Sequence, residues 1–358
     1  MINKFCLYVG PKFSNDFGGG IGALKYKSFL SRIFGERLHC IEIDETNSKK
    51  NILCSYFSGY VRKLNKGYID QIKETVFKLS PSYIFINTSC YGVVAKIIKK
   101  ISPDIKIYIF FHNIEYSFTK DELVKTYNIK SLLLLPHIKY NEYMAVKYAD
   151  KVLCLNQRDS NLLHKYYGKY ADCLLPVSFK DDFNIQNYKD ITVNERKLCI
   201  FIGSCFYANY LGILWFVKNV APFVDADIWI VGKNFESKKN ELEIFENIKV
   251  IGSVPNMSDF YYKADAIIAP IFDGAGMKVK TAEALMYGKT IIGTKETFEG
   301  YEVDYNKVGA LCTNEKEFIE SINSLNPSLS RFNEYSRYIF ETKYSNEISF
   351  INFSKLFE

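Results

Sequence analysis

Short apolar runs alternate with amphipathic stretches along the whole chain, and that alternation restricts the fold more than any other feature. A short run that is apolar throughout fits a strand buried on both faces, and the amphipathic stretch behind it fits the crossover helix of a βαβ unit. In the first half the expected strands are Phe5–Val9, Leu38–Ile43, Tyr83–Ile86, Ile105–Phe111, Val152–Leu155 and Cys173–Leu175. Helices are expected at Ile21–Ile33, Tyr68–Leu79, Gly92–Ile101, Leu132–Ala149 and Arg158–Tyr167. The second half repeats the pattern, with strands Leu198–Ile202, Ile228–Val231, Lys249–Ile251, Ala266–Ala269 and Thr290–Ile292. Helices Leu211–Val220, Met257–Lys263, Val279–Tyr287 and Glu315–Leu325 accompany them. The polar stretch Val177–Arg196 has no apolar period and reads as a linker.

The expected fold class is therefore α/β, two Rossmann-like doubly wound domains facing a cleft: residues 1–178 and 197–335, followed by 336–358. A chain of 358 residues accommodates two such domains. With 48% apolar and 24% charged residues, neither a disordered nor a fibrous chain fits. No apolar run approaches the ~20 residues that span a bilayer, and the first strand follows Asn3 and Lys4 without a leader-like stretch, so a cytoplasmic protein is expected. Nine scattered cysteines without a Cys-x-x-Cys pair point to reduced thiols and to neither a zinc site nor a disulfide framework.

Ligands of doubly wound sheets bind at the C-terminal ends of the strands, so the loops there carry the chemistry. The most informative is Asp273-Gly-Ala-Gly-Met-Lys-Val-Lys280, directly after the strand Ala266–Ala269 and Pro270. Gly274 and Gly276 let the backbone turn tightly around Ala275 and Met277 and approach a ligand, and the following helix offers free N–H groups and partial positive charge, which suits a phosphate. Lys278 and Lys280 stand where the helix dipole disfavours cations, so an anion is expected between them. Glu283 lies on the apolar stripe of Val279, Ala282 and Met286, and a carboxylate facing a core needs donors. Ribose hydroxyls would supply two; backbone N–H groups or Lys280 would also serve.

This text, "DGAGMKVKTAEALMYGKTIIGT" with "FEGY" after it, resembles the nucleotide-binding signature of the retaining, group 1 (family 4) glycosyltransferases of GT-B fold. "FIGSCFYANYLGILWFVKNVAP", "IWIVGK" and "VIGSVPNMSDFYYKADAIIAP" follow the family's usual order through the second half. The resemblance implies that Glu283 holds the ribose, and that Gly203, Ser204, Lys233 and Val254 line the nucleotide side. Two departures stand out: the acid nearest upstream of Glu283 is Asp273, too far for the family's usual pair, and no arginine follows Gly203, which leaves the diphosphate to Lys278 and Lys280. The resemblance further implies that the last helix, roughly Ser336–Phe357, crosses back to the first domain, and that no metal or other cofactor is needed.

In the first half "FGGGIGALK" opens a helix after strand one, and Gly18, Gly20 and Ala23 match a dinucleotide fingerprint with Asp44 about twenty residues on. The long loop Pro11–Phe17 argues against that reading; in the glycosyltransferase reading Gly19 and Gly20 turn backbone N–H groups toward the diphosphate. His112 is expected at the C-terminal end of a central strand, where the resemblance implies contact with donor sugar or acceptor; a purely structural histidine is the other reading. Glu115, read as a loop acid, would accept a proton from the acceptor hydroxyl or merely be solvated. Asp225-Ala-Asp227 has the Asp-x-Asp form of metal-dependent glycosyltransferases but precedes a strand, away from the site.

Charge divides unevenly: residues 1–180 carry +12 and residues 181–358 carry −6. A basic first half is drawn to anions, and an anionic inner-membrane leaflet with a lipid-linked glycan acceptor fits, through Tyr56–Lys66 and Ala95–Lys100. The function expected is hexosyl transfer from a nucleoside-diphosphate sugar to a glycan hydroxyl in cell-surface polysaccharide biosynthesis. A nucleotide-sugar epimerase of the same fold and an NAD(P)-dependent oxidoreductase are the alternatives; no nucleic-acid-binding motif is present.

Overall fold

The computed structural model describes residues 4–12, 18–44, 59–127, 129–189, 196–274, 276–326 and 331–358. The chain forms two compact units, Met1–Pro176 together with Phe350–Glu358, and Val177–Ser349. Each is built on a six-stranded parallel sheet.

The first unit runs β1 (Cys6–Pro11), α1 (Gly18–Phe34), β2 (Leu38–Ile43), α2 (Lys66–Leu79), β3 (Tyr83–Ile86), α3 (Gly92–Ile101), β4 (Lys106–Phe111), α4 (Glu115–Thr126), α5 (Ile129–Tyr148), β5 (Lys151–Cys154), α6 (Gln157–Tyr167) and β6 (Cys173–Leu174). Its strand order, β2-β1-β3-β4-β5-β6, reverses direction between β1 and β3. Ile84, Phe85 and Ile86 have no exposed surface, as a central parallel strand covered on both faces requires. Helix starts follow side-chain chemistry: Asn65 accepts from Tyr68 N (3.2 Å) ahead of α2, and Asn156 from Asp159 N (2.9 Å) ahead of α6. Gly168, at φ 74°, ends α6 in the left-handed region.

The second unit continues with β7 (Lys197–Ile202), α7 (Tyr207–Asn219), β8 (Ala226–Val231), β9 (Ile248–Gly252), α8 (Ser258–Lys263), β10 (Ala266–Ala269), α9 (Val279–Met286), β11 (Thr290–Gly293), β12 (Gly309–Leu311), α10 (Glu315–Asn323), α11 (Glu334–Ile339) and α12 (Asn346–Ser354). Its order, β12-β11-β10-β7-β8-β9, places the switch of direction between β7 and β10. The stretch expected as one closing helix is broken: α11 passes into a π-helical turn, Phe340–Tyr344, and restarts as α12. The last residues belong to the first unit's aromatic core, where Phe353 lies 5.4 Å from the Tyr26 ring and Tyr108 Oη donates to Leu356 O (2.9 Å).

The two α/β sheets meet the expected fold class. Some elements were not anticipated, and two of them show why. The segment around Glu115, expected as a loop, is helix α4, whose mixed polar sequence hides any apolar period. Edge strand β12 has three half-buried residues and too little apolar text to announce itself. The Ala95–Lys100 segment turns Ala95 and Ile98 inward within α3, and Lys99 is ion-paired to Asp150 (2.8 Å), so its apolar side chains are spent on the core. Residues 56–58 of the other expected membrane segment lie outside the described residues. Among the described residues no helix is long and apolar enough to cross a membrane.

Candidate functional site

In the second unit the C-terminal ends of β7, β8, β9 and β10 come to one edge of the sheet, which brings together most of the residues singled out in the sequence. Gly203 follows β7 at φ 158°, and Gly232 follows β8 at φ 143°. Their backbones pass so closely that a Cβ on Gly232 would lie 2.0 Å from Gly203 O; only glycine fits. Cys205 N donates to Lys233 O (2.8 Å), so Lys233 contributes its backbone to this turn while its side chain is exposed. Ser204 is exposed beside it, and Val254 lies half-buried in the loop after β9.

Lys280, in the first turn of α9, reaches back to this turn. Its Nζ would be 2.7 Å from a Cβ on Gly203, donates to Asn209 Oδ1 (2.8 Å), and lies 4.3 Å from the Phe201 ring centroid. Asn209 in turn donates to Ser204 O (2.8 Å). Burial, and secondarily the charge of Lys278, push the Lys280 amine down to about 7, against a smaller opposing pull from Glu283. Glu283, one helical turn on, accepts from Tyr261 Oη (3.0 Å); burial raises its pKa, while Tyr261 and Lys280 hold it down in part.

The glycine loop lies between. Gly274 and Gly276 take φ 145° and 67°, Asp273 accepts from Gly274 N (2.8 Å), and Met277 is buried. Ala275 lies outside the described residues. Lys278 is different from its neighbour: it is ion-paired to Glu296 (2.5 Å) and donates to Gly276 O (3.0 Å). The expectation that only an anion accounts for both lysines is corrected for Lys278, whose charge already has a protein partner.

Gly19, Gly20, His112 and Glu115 belong to the first unit. Gly19 and Gly20 lie in the first turn of α1. His112 follows β4, and its Nε2 stands 3.0 Å from Asn87 Oδ1 and 3.2 Å from Asn87 O at the end of β3. Burial and the cations Arg62 and Lys25 push it down to about 3, so the imidazole is neutral. Glu115 is no solvated loop acid: it opens α4, its side chain is 12% exposed, and it is ion-paired to Arg62 (3.1 Å).

Sequence reasoning missed Glu142, buried on α5, which accepts from Glu115 N (2.8 Å), Tyr116 N (3.2 Å), Ser89 Oγ (2.9 Å) and Tyr167 Oη (2.7 Å). Burial pushes it up to about 7. It caps the start of α4 and thereby fixes the segment that follows His112. The stripe Ile138, Glu142, Ala145 carries the same signal that singled out Glu283: a carboxylate at helical spacing among apolar neighbours. Asn209 and Tyr261 carried no such signal. Asp225 and Asp227 are ion-paired to Arg196 (3.4 and 3.3 Å) before and at the start of β8, at the opposite end of the sheet. Among the described residues no cluster of His, Cys, Asp or Glu has the makings of a metal site.

Comparison with known proteins bears on the same unit. Residues 196–326 match the family model of glycosyl transferases group 1. A Klebsiella pneumoniae protein described as an uncharacterized 44.6 kDa protein in cps region is 24% identical over 314 residues, 83% of this chain and 75% of that one. Among solved structures, sucrose-phosphate synthase from Thermosynechococcus elongatus aligns over 99% of this chain and 98% of its own at 11% identity and TM-score 0.73. Anabaena Alr3699/HepE in complex with UDP aligns over 99% of both chains at 12% identity and TM-score 0.70. The lipopolysaccharide outer core galactosyltransferase WaaB aligns over 98% of both at 12% identity and TM-score 0.67. The fold is that of the GT-B glycosyltransferases, and with the family match to the second unit the findings support a glycosyltransferase.

Proposed function

We propose that the chain transfers a hexose from a nucleoside-diphosphate sugar to a hydroxyl of a lipid-linked glycan during assembly of a cell-surface polysaccharide, on the cytoplasmic side of the membrane and with retention at the anomeric carbon. The observation that carries this reading is the switch point of the second sheet, where Gly203, Lys280, Glu283 and the Gly274–Gly276 turn share one strand-end edge. The relative from a cps region and the solved structure with UDP support the substrate class.

The roles follow from the chemistry. The diphosphate lies against the glycine turn and the N-terminal N–H groups of α9, where Lys280 regains a full proton and opposes the charge that develops as the glycosidic bond breaks. Lys278, tethered by Glu296, adds a fixed cation one turn away. Glu283, oriented by Tyr261, accepts from the ribose hydroxyls. Gly203, Ser204, Lys233 and Val254 border the nucleotide, and Asp273 with the Met277 backbone borders the sugar. The neutral His112 exchanges hydrogen bonds, not charge, with a sugar hydroxyl; Glu115, held by Arg62 at the start of α4, is the acid that faces the acceptor hydroxyl's proton. These cations stand in for a metal, and no cofactor enters the reaction.

A thermal-shift panel of UDP, GDP and ADP sugars tests the reading. One base stabilises the chain, and Lys280→Ala or Glu283→Ala each abolishes that shift while the far-ultraviolet spectrum stays unchanged. A panel without any shift, or a shift that survives both substitutions, overturns it.

A further inference from the structure

Helix α5 is apolar on the face it turns to solvent. Its inward stripe, Ser131, Ile138, Asn141, Glu142 and Ala145, is buried and partly polar, with Asn141 Oδ1 accepting from Val93 N (3.3 Å). Its outward stripe steps through Leu132, Pro136, Tyr140, Tyr143 and Lys147, all exposed. Leu132 is 55%, Leu133 50% and Tyr143 47% exposed, although polar residues would be expected on such a face. Three consecutive leucines span about 200° of a helix, so no rotation of α5 hides them all. Helix α4 packs beside α5 and extends the surface with Phe118, 45% exposed, and the chain between the two helices adds Tyr127 at 85%.

Cations surround this apolar surface. Lys96 of α3 donates to Tyr140 Oη (2.8 Å), Lys139 lies 5.0 Å from the Tyr116 ring, and Lys147 lies 5.8 Å from the Tyr143 ring. Among the described side chains between residues 115 and 148, Lys120, Lys139 and Lys147 are exposed together with Asp121 and Glu122, while Glu142 is buried and Glu115 ion-paired. Leucines at the centre with tyrosine hydroxyls and lysine amines around them reproduce the order of groups across a bilayer boundary.

We propose that the α4–α5 surface docks on an anionic lipid bilayer, with Leu132, Leu133 and Leu134 entering the headgroup boundary and Lys139 and Lys147 meeting lipid phosphates. Charge disfavours a second copy of the chain, because a twofold contact would gather the surplus lysines of two such surfaces, Lys96 included, into one interface. The inference rests on the first unit alone and does not depend on the donor assignment.

The test is sedimentation of the full chain with vesicles of phosphatidylcholine, with and without phosphatidylglycerol. Binding is expected to the anionic vesicles only, and to weaken with salt. L132S/L133S and K139E/K147E each lower it about tenfold or more, and because these side chains are exposed, the nucleotide-sugar thermal shift stays at its wild-type value. Equal binding to neutral vesicles, wild-type binding by both variants, or self-association in solution that L132S/L133S abolishes would overturn the proposal. A wild-type chain that binds no vesicles yet keeps its nucleotide shift removes this inference and leaves the donor site standing; a wild-type chain that binds anionic vesicles but shows no nucleotide shift removes only the donor site.

Discussion

The two ends of the second unit's sheet each hold a lysine, one buried and one half-buried, and treat it differently. At the N-terminal end Lys289 has no exposed surface, and its amine donates to Tyr262 O (3.3 Å), Ala264 O (2.8 Å), Arg331 O (2.9 Å) and the Tyr188 hydroxyl. Asp265 beside it accepts from Leu198 N (2.8 Å) and from Arg331 Nε (3.2 Å). At the C-terminal end, among the described residues, Lys280 donates to Asn209 alone and Glu283 accepts from Tyr261 alone. The Lys289 amine is fully taken up by protein acceptors, whereas the Lys280 amine keeps hydrogen-bonding capacity in a partly desolvated place. That residual capacity marks the end built for a ligand.

The contrast is broken most directly at Lys289. Lys289→Met strands several buried oxygens and is expected to destabilise the chain by about 3 kcal/mol or more, read from the urea midpoint. The folded fraction should bind nucleotide sugar as the wild type does. Wild-type stability in the Lys289→Met variant would mean that the N-terminal end is no more structural than the other.

Lys280→Met and Glu283→Ala probe the opposite end. Each should weaken nucleotide-sugar binding about 100-fold, close to 2.7 kcal/mol, in calorimetry. Lys280→Met should also raise the thermal midpoint of the ligand-free chain by about 2–4 °C, since it removes a desolvated cation that only a ligand repays. Gly232→Ala lies between the two ends in kind: its Cβ would meet Gly203 O at 2.0 Å, so a loss of about 2 kcal/mol in stability should come together with weaker binding.

What the sequence made legible divides along the same line. Strands Tyr83–Ile86 and Ala266–Ala269 fall where the apolar pattern puts them, because buried parallel strands leave unbroken apolar text, and strand Leu38–Ile43 and helix Gly92–Ile101 also keep their expected bounds. The glycine loop and the carboxylate on an apolar stripe singled out Gly274, Gly276 and Glu283, since backbone turns and misplaced charge are local features. Asn209 and Tyr261 were invisible: each comes from an element distant in sequence, and nothing in its own surroundings is unusual. Lys278 and Lys280 looked equivalent two residues apart. Only the fold shows that Glu296 reaches the first and not the second.

The smallest expected effect is also the most specific to Lys280, because it follows proton binding. A lysine pushed down from 10.5 to about 7 leaves the native chain without a proton that the unfolded chain binds across that window. The stability of the ligand-free protein should therefore rise with pH from about 7 upward, and the gain from Lys280→Met should be larger at pH 6 than at pH 9. Bound diphosphate restores the proton, so binding above neutrality takes one up, and the affinity should fall by up to about tenfold per pH unit from pH 7.5 to 8.5. A nucleotide sugar is the right probe, since its diphosphate is a diester whose charge is constant in this range. Titration calorimetry in two buffers of unlike ionisation enthalpy counts the proton directly. An affinity flat with pH in the wild type, or a slope that persists in Lys280→Met, would show that the amine meeting the phosphates is not the one beside Gly203.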